Sequence, residues 1–203
     1  MKKNRISKNW INKQRRDIYV RRSKVDGYRS RAAYKLIEID EKFKIFKNGI
    51  SVIDLGSAPG SWSQYLSKKI KNSKIVSIDL KKMKTIDNTI QILGNFTEEK
   101  NQSKIKDFFK SNVDVVLSDM SVNTTGNKNI DSIYTGELCM EAMFFSKKIL
   151  NNDGKFISKI FMGSTFNEII TEAKLIFKEV KVFKPKSSRK DSKESFIICK
   201  NLR

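Results

Sequence analysis

The sequence predicts an α/β fold in which a mainly parallel sheet of seven strands is covered by helices on both faces. Short apolar runs alternate along the chain with segments of helical periodicity, and the last two apolar runs are separated only by the loop KPKSSRKDSKE. Parallel neighbours need a helical crossover, whereas a short connection joins antiparallel strands. The sequence therefore predicts that the sheet ends in an antiparallel hairpin and that its last strand is antiparallel.

The strand candidates are short runs rich in β-branched and aromatic residues. They are SVIDL (51–55), KIVSID (74–79), TIQIL (89–93), VDVVLSD (113–119), KFISKIF (155–161), VKVF (180–183) and SFIICK (195–200). The helix candidates between them are the stretch from Ser30 to Phe46, residues 61–70, residues 99–110, residues 131–150 and residues 165–178. In the last of these, one apolar face is marked by Phe166, Ile169, Ile170, Ala173 and Phe177.

The chain is strongly basic, and the excess charge is concentrated near its start. It carries 42 Lys and Arg against 22 Asp and Glu, a net charge of +20. Residues 1–35 hold 13 basic residues and 2 acidic ones, a net charge of +11. Such a cluster favours a polyanionic partner, because each neutralised phosphate releases counterions on binding; the alternative is a general Lys-rich composition. We interpret residues 1–28 as a basic RNA-binding arm and residues 29–203 as a single domain.

The chain contains no histidine and only two cysteines, Cys139 and Cys199. The absence of histidine excludes Ser-His-Asp, Cys-His and His-zinc chemistry, so any general base must be Lys, Asp, Glu or Tyr. We expect no metal site, and two distant cysteines are typical of a reducing compartment. No apolar run approaches the roughly 18–20 residues of a membrane span, and a secretory signal is not evident. We expect a cytoplasmic protein without a membrane partner; the basic start leaves a mitochondrial location as the alternative.

The stretch SVIDLGSAPGSWSQYL (51–66) reads as a strand, a tight loop and the start of a helix. In doubly wound sheets the first such loop lies where ligands bind, at the carboxyl ends of the strands. Gly56 and Gly60 allow close backbone approach to a ligand, but their spacing matches neither a Walker A loop nor a dinucleotide fingerprint. A neutral or zwitterionic nucleoside needs no phosphate cradle. Asp79 ends the second strand candidate, where an acid binds ribose hydroxyls; it could instead cap the next segment.

Five runs carry a family resemblance: RSRAAYKL, DLGSAPGSWSQY, LSDM, SKIF and KPKSSRKDSKESF. In order and spacing they resemble the FtsJ-type ribosomal RNA large-subunit 2′-O-ribose methyltransferases, over nearly the whole chain. DLGSAPG alone is shared by many S-adenosylmethionine enzymes, whereas the set of five is highly specific. The resemblance implies a Rossmann-like S-adenosylmethionine-dependent methyltransferase fold. It also implies a catalytic tetrad around the target ribose, formed by Lys35, Asp119, Lys159 and Glu194.

The resemblance further implies the residues that contact the methyl donor, S-adenosyl-L-methionine. They are Gly56, Ser57, Pro59, Gly60, Ser61, Trp62, Asp79, Asn95 and Asp119. Trp62 could instead be a core residue, and Asp54 is expected to close the strand and brace the loop. Position 95 is Asn where the family commonly has Asp, but its carbonyl can still accept a hydrogen bond from an adenine amino group. Position 61 is Ser where the family commonly has a second Gly, and SDMSVN lacks the usual Pro.

Methyl transfer to a ribose hydroxyl requires that the alcohol be positioned and deprotonated. We expect Lys159 to be the general base, provided that its amine is neutral at working pH. Burial and a second cation, Lys35, would lower its pKa, whereas Asp119 and Glu194 would orient the two amines and raise it. Taken singly, these residues have ordinary alternatives: a solvated lysine, a turn-forming aspartate and a solvated glutamate. Their joint spacing favours the catalytic interpretation.

Two groups of residues are expected to contact RNA. Tyr28, Arg29 and Arg31 stand beside the first tetrad lysine and could clamp phosphates or stack on a base, or could simply form a helix N-terminus. Lys186 and Arg189 belong to a second basic run near the tetrad glutamate.

The leading prediction is a monomeric enzyme that methylates ribosomal RNA, within the large ribosomal subunit. The resemblance implies the target, a uridine ribose in the A loop of the peptidyl-transferase region. Alternatives are methylation of the transfer RNA anticodon loop and a non-catalytic RNA-binding assembly factor. The intact tetrad and donor loop argue against the last, and the charge disfavours a small-molecule substrate.

Overall fold

The computed structural model describes residues 14–122 and 128–203. Its strands are β1 (Ser51–Leu55), β2 (Lys74–Asp79), β3 (Thr89–Leu93), β4 (Val113–Ser118), β5 (Leu150–Phe161), β6 (Phe177–Phe183) and β7 (Glu194–Leu202). Its main helices are α1 (Ile18–Val25), α2 (Ala32–Phe43), α3 (Ser61–Lys69), α4 (Glu99–Phe109), α5 (Lys128–Ile149) and α6 (Phe166–Ile176). Residues 1–13 of the predicted basic arm lie outside the described residues.

The strands of the described residues form one seven-stranded sheet in the order β3-β2-β1-β4-β5-β7-β6. Neighbouring strands from β3 to β5 pair in parallel, and β7 is antiparallel to both β5 and β6. The predicted mainly parallel sheet with an antiparallel last strand is therefore confirmed. Because β7 inserts between β5 and β6, its first residue, Glu194, lies opposite Phe161 at the end of β5. The beginning of β7 thus shares an edge with the ends of the parallel strands.

Helices cover both faces of this sheet. One core layer joins it to α4, α5 and α6 and includes Ile105, and the other joins it to α2 and α3 and includes Leu36. In β1, Ile53 belongs to the first layer and Val52 to the second, because successive side chains of a strand point to opposite faces. None of the described helices is both long enough and apolar enough to cross a membrane.

One predicted helix ends earlier than its periodicity indicates. Phe177 is expected on the apolar face of the helix over 165–178, but α6 ends at Ile176 and Phe177 begins β6. Its ring is fully buried and stacks on Phe156 of β5, with ring centroids 6.1 Å apart. Both conformations bury this side chain, so the apolar pattern does not distinguish them.

The first long helix also stops before the predicted Phe46. It ends at Phe43, because the Asp40 carboxylate accepts hydrogen bonds from the N–H groups of Ile45 and Phe46 at 2.9 and 3.0 Å. These bonds direct the chain away from the helix axis.

The segment interpreted as a basic arm contains helix α1, which its weak apolar periodicity does not predict. Asp17 caps this helix, and its carboxylate accepts hydrogen bonds from the N–H groups of Tyr19 and Val20 at 3.0 and 3.3 Å. The Tyr19 ring packs against Tyr34 of α2 with centroids 5.4 Å apart. A cap and one aromatic contact therefore stabilise a helix that lacks a broad apolar face.

Candidate active site

The loop after β1 lies tightly against its neighbours. Gly56 and Gly60 have φ angles of 68° and 102°, in the region that favours glycine. The N–H groups of Gly56 and Ser57 both donate to the carbonyl of Ile78 in β2, at 2.9 and 3.2 Å. A Cβ atom on Gly56 would lie 2.1 Å from Cγ of Met120. Position 56 therefore requires glycine for both its conformation and its surroundings.

A cavity of about 630 Å³ opens beside this loop, at the carboxyl ends of the parallel strands. Its lining includes Gly56, Ala58, Asp79, Leu80, Asn95, Phe96, Asp119 and Met120. The structure thus brings together four predicted donor contacts, Gly56, Asp79, Asn95 and Asp119. We call this space the donor cavity.

The sequence prediction missed the apolar walls of the donor cavity. Leu80, Phe96 and Met120 line it, and each directly follows a polar residue that was singled out. These apolar residues could have been predicted from the sequence, because each follows an acid or amide at the end of a strand.

Asp79 braces the two sides of the donor cavity. One carboxylate oxygen accepts a hydrogen bond from the N–H of Ala58 at 2.9 Å, and the other accepts one from the N–H of Lys81 at 2.7 Å. Asp79 therefore binds both the loop after β1 and the segment that follows β2. The second contact agrees with the alternative prediction that Asp79 caps the next segment. Each carboxylate oxygen keeps a further lone pair.

Asn95 is held by its own loop. Its side-chain carbonyl accepts a hydrogen bond from the N–H of Thr97 at 3.1 Å, and its backbone carbonyl accepts one from the amide of Asn101 at 2.8 Å. A side-chain carbonyl has two lone pairs, so one remains after the contact with Thr97.

The other predicted donor contacts, Ser57, Pro59, Gly60, Ser61 and Trp62, are not among the residues that line the donor cavity. The Trp62 side chain is only 2% exposed and belongs to the core, as its alternative interpretation expects. Its indole N–H donates to the carbonyl of Ala32 at 2.9 Å. The Ser61 hydroxyl lies 2.7 Å from that of Ser30. These side chains join α3 to the start of α2.

Asp54 is buried directly behind the loop. Its carboxylate accepts a hydrogen bond from the Ser63 hydroxyl at 2.6 Å, which ties β1 to α3. Burial raises the pKa of Asp54 to about 7; the Ser63 hydrogen bond opposes this, and the charges of Asp119 and Asp79 add to it. Asp54 braces the loop, as the sequence predicts.

The four predicted tetrad side chains meet at the same edge of the sheet. Lys159 Nζ lies 2.6 Å from Asp119 Oδ1 and 3.8 Å from Glu194 Oε2. Lys35 Nζ lies 2.7 Å from Glu194 Oε2 and 3.6 Å from Asp119 Oδ1. Each ammonium therefore contacts both carboxylates, in a square of alternating charge. Lys159 also donates to the backbone carbonyl of Asp119 at 2.9 Å.

Each of these side chains reaches the site from a different element. Lys35 is in α2, Asp119 follows β4, Lys159 is in β5 and Glu194 begins β7. Ser188, which the sequence does not predict as a site residue, donates to Glu194 Oε1 at 2.7 Å. It lies in the loop before β7 and fixes the carboxylate oxygen that the lysines do not contact.

The charges within the tetrad decide its protonation. Burial alone would lower the pKa of Lys159, but the carboxylates of Asp119 and Glu194 outweigh it and raise that pKa. Burial would likewise raise the pKa of Glu194, but Lys35 and Lys159 lower it to about 2. Lys159 is therefore an ammonium ion, and Glu194 a carboxylate, in the protein without its substrates.

Two of the predicted RNA contacts form a basic cluster around Asp17. The Asp17 carboxylate pairs with the guanidinium of Arg31 and lies 3.4 Å from Nε of Arg189. Arg31 also donates to the carbonyl of Ser187. The cap of α1 thus connects the start of α2 to the loop before β7.

A second cavity, of about 350 Å³, lies at this cluster. Its lining includes three basic residues, Arg31, Lys35 and Arg189, and two acidic ones, Asp191 and Glu194, together with Ser30 and Ser192. We call it the basic cavity. Lys35 and Glu194 belong to it and Asp119 belongs to the donor cavity, so the tetrad lies between the two.

The remaining predicted RNA contacts have other neighbours. The Tyr28 ring packs edge-on against Tyr34, with centroids 5.9 Å apart, and Lys68 Nζ lies 4.9 Å from its centre. The guanidinium of Arg29 donates to three backbone carbonyls. The side chain of Lys186 is exposed, and its backbone N–H donates to Glu38.

No group of three or more Cys, Asp or Glu side chains that could hold a metal ion occurs within residues 14–122 and 128–203.

Comparison with known proteins gives consistent results. A family model for FtsJ-like methyltransferases matches residues 28–202. A Pelagibacter ubique protein named ribosomal RNA large subunit methyltransferase E is 74% identical over 203 residues, 100% of both chains. Its Rickettsia bellii namesake is 45% identical, over 96% of this chain and 88% of that protein.

A solved structure shares the fold. The crystal structure of a candidate ribosomal RNA methyltransferase from Plasmodium falciparum superposes with a TM-score of 0.77 and 36% identity, over 86% of this chain and 98% of that one. The predicted methyltransferase fold is therefore confirmed. The chain belongs to the family of FtsJ-like methyltransferases.

Proposed function

We propose that this protein transfers the methyl group of S-adenosyl-L-methionine to a ribose 2′-hydroxyl of large-subunit ribosomal RNA. The observation that carries the proposal is the square of Lys35, Asp119, Lys159 and Glu194 between the donor cavity and the basic cavity. Family membership supports methyl transfer, and the names of the Pelagibacter and Rickettsia relatives support the RNA substrate.

The donor cavity suits S-adenosyl-L-methionine. Its volume of about 630 Å³ falls within the range of small-molecule sites. Leu80, Phe96 and Met120 offer apolar surface for an adenine ring, while Asp79 and Asn95 offer hydrogen-bond acceptors. The bound donor would supply an electrophilic methyl group on a positively charged sulfur.

Lys159 is the proposed general base. Because its pKa is raised in the protein without substrates, Lys159 must lose a proton before it can accept one from the ribose hydroxyl. Asp119 pairs with Lys159 and also lines the donor cavity. A cation bound there would share the Asp119 carboxylate, and a like charge nearby disfavours the ammonium form of Lys159. Occupation of the donor cavity would therefore prepare the base.

Lys35 and Glu194 form the acceptor side of the proposed site. Glu194 is fixed by Ser188 on one oxygen and by Lys35 on the other. The Lys35 ammonium is therefore oriented before substrate arrives, and it can stabilise the negative charge that develops on the acceptor oxygen.

The basic cavity supports a polynucleotide substrate. Arg31 and Arg189 lie beside Lys35. Asp17 and the Ser187 carbonyl use some of their N–H groups, and the remaining planar donors match phosphate oxygens. We propose that the RNA is bound within the large ribosomal subunit, that the target is a uridine in the A loop of the peptidyl-transferase region, and that the enzyme acts as a monomer. We propose a cytoplasmic location, with a mitochondrial one as the alternative.

The proposal is tested by incubating the protein with methyl-labelled S-adenosyl-L-methionine and large ribosomal subunits, free ribosomal RNA or transfer RNA. We expect label in ribosomal RNA at one nucleotide, whose phosphodiester resists alkaline cleavage because the 2′-OH is blocked. Label in transfer RNA alone would replace this proposal with anticodon-loop methylation. Donor binding without label in any RNA would favour a non-catalytic assembly factor.

Lys159→Ala tests the proposed base. Loss of general base catalysis should lower the single-turnover rate by about 10²–10⁴-fold while donor binding survives. Lys181→Ala, at an exposed position of β6, is the matched control and should keep the wild-type rate. Wild-type-like turnover by Lys159→Ala would rule out the assignment.

A further inference from the structure

Arg29 is directed towards the donor loop. One guanidinium nitrogen, Nη1, donates to the carbonyls of Pro59 at 3.0 Å and Lys84 at 2.8 Å. The other, Nη2, donates to the carbonyl of Thr85 at 2.7 Å. Pro59 belongs to the loop after β1, and Lys84 and Thr85 belong to the connection between β2 and β3. A single side chain therefore joins the two segments that leave the donor cavity.

The backbone around Arg29 is fixed as well. Its N–H donates to the side-chain carbonyl of Gln64 at 3.0 Å, and the Gln64 amide donates to the carbonyl of Gly27 at 2.8 Å. The hydroxyls of Ser30 and Ser61 lie 2.7 Å apart. These contacts attach the segment before α2, which carries Arg29, to the first turns of α3.

The contacts of Arg29 differ from those of a phosphate-binding arginine. Three of the five N–H donors of a guanidinium are used by backbone carbonyls. Arg31 and Arg189 line the basic cavity, whereas Arg29 lines a separate cavity of about 570 Å³ together with Pro59 and Lys84. A Cβ atom on Gly60 would lie 2.7 Å from Arg29 Nη1, so the guanidinium also packs directly on the loop glycine.

A lysine could not reproduce this arrangement. The planar guanidinium places its donors in a fixed fork, whereas an ammonium is a compact point charge on a flexible stem. Arg29→Lys therefore keeps the charge and loses the simultaneous contact with Pro59 and Thr85.

We propose that Arg29 is a positioning residue for the methyl donor: it holds the loop at Pro59 against the segment at Lys84 and Thr85, and thereby sets the shape of the donor cavity. This inference rests on the proposed function, since it takes the cavity to bind S-adenosyl-L-methionine. It assigns Arg29 to the donor side of the site, whereas the sequence placed it among the RNA contacts.

The test measures donor and RNA binding separately. Binding of S-adenosylhomocysteine, the demethylated donor, is titrated by calorimetry without RNA, and binding of a ribosomal RNA fragment is titrated without donor at several salt concentrations. For Arg29→Lys we expect about tenfold weaker donor binding, as for loss of a charge-assisted hydrogen bond. The matched variant Arg29→Gln, which removes the charge, should change RNA binding and its salt dependence by less than twofold. Arg203→Lys is the matched control, because Arg203 also donates to a backbone carbonyl, that of Lys174 at 2.8 Å.

The opposite result would overturn the proposal. If Arg29 contacts a phosphate, Arg29→Lys should leave donor binding within twofold, and Arg29→Gln, which removes the charge, should reduce the slope of log affinity for RNA against log salt by about one. A wild-type protein that binds no S-adenosylhomocysteine would instead contradict the proposed function.

A measurement on the wild-type protein covers the case in which Arg29→Lys does not fold. The nitrogen resonances of the Arg29 guanidinium should shift on addition of S-adenosylhomocysteine and stay unchanged on addition of RNA alone. A shift with RNA and none with S-adenosylhomocysteine would reject the positioning role.

Discussion

Replacing Glu194 with Gln tests whether the tetrad is a charge-balanced unit. The carboxylate lies 2.7 Å from Lys35 Nζ and 3.8 Å from Lys159 Nζ, and its side chain is only 11% exposed. Gln keeps the size of the side chain and can still accept a hydrogen bond from Ser188, but it removes the charge. Two ammonium groups would then share the single carboxylate of Asp119.

The magnitude follows from the pKa of Glu194, which is about 2 in the folded protein against an ordinary 4.5. Burial acts in the opposite direction, and the charges of Lys35 and Lys159 outweigh it. A difference of roughly 2.5 pH units corresponds to about 3 kcal/mol of stability at pH 7. Because the folded pKa is lowered, this stability is present above about pH 4.5 and is lost as the pH falls towards 2.

The free energy of unfolding should be measured by urea denaturation, followed by circular dichroism, at pH 7 and pH 3. We expect Glu194→Gln to lower it by about 3 kcal/mol at pH 7 and by less than half as much at pH 3. Glu179→Gln is the control, since the contact of Glu179 within the described residues is an exposed hydrogen bond from Asn201 at 3.4 Å, and its effect should stay within about 0.5 kcal/mol. An equal loss at both pH values, or a loss below about 1 kcal/mol at pH 7, would refute the reasoning.

Three further predictions concern protonation and donor contacts. The single-turnover methylation rate should rise with pH between about 7 and 9, because the pKa of Lys159 is raised and the base must be deprotonated; a rate independent of pH would contradict this. Asn95→Asp should leave the calorimetric affinity for S-adenosylhomocysteine equal or tighter, because a carboxylate accepts a stronger hydrogen bond, and marked weakening would argue against that contact. Asp54→Asn should stabilise the protein relative to wild type more at pH 8 than at pH 5, as measured by the free energy of urea unfolding. Burial raises the pKa of Asp54 to about 7, so the wild-type protein loses stability as the pH rises through that value, whereas Asn does not ionise. A stability difference between variant and wild type that does not change with pH would contradict this prediction.

The sequence predicts those parts of the site that local patterns encode. The loop at Gly56 and Gly60 and the acid at the end of β2 follow from a strand, a turn and a helix start within a short stretch. The tetrad required a resemblance, because its four residues come from separate elements and each has an ordinary interpretation alone.

What the sequence does not predict depends on distant partners. The three carbonyls that accept hydrogen bonds from Arg29 lie 30, 55 and 56 residues away in the sequence. Asp17 and its partner Arg189 are 172 residues apart. The direction of the Lys159 pKa shift is a balance between burial and two carboxylates, so it needs the distances themselves. The boundary between α6 and β6 at Phe177 is also hard to predict, because a helix and a strand would both bury this side chain.

The antiparallel insertion of β7 has a consequence for how this fold can diverge. The donor cavity is lined mainly by the loops that follow β1 to β4, whereas Ser188 and Arg189 reach the site from the loop between β6 and β7, and Glu194 from the first position of β7. The proposed donor and acceptor sides of the site thus draw mainly on different loops at one edge of the sheet. If the proposed function holds, a longer or differently charged β6–β7 loop should change which nucleic acid is accepted, while the loops after β1 to β4 keep the methyl donor. The choice of acceptor could then evolve separately from the use of the donor within a single domain.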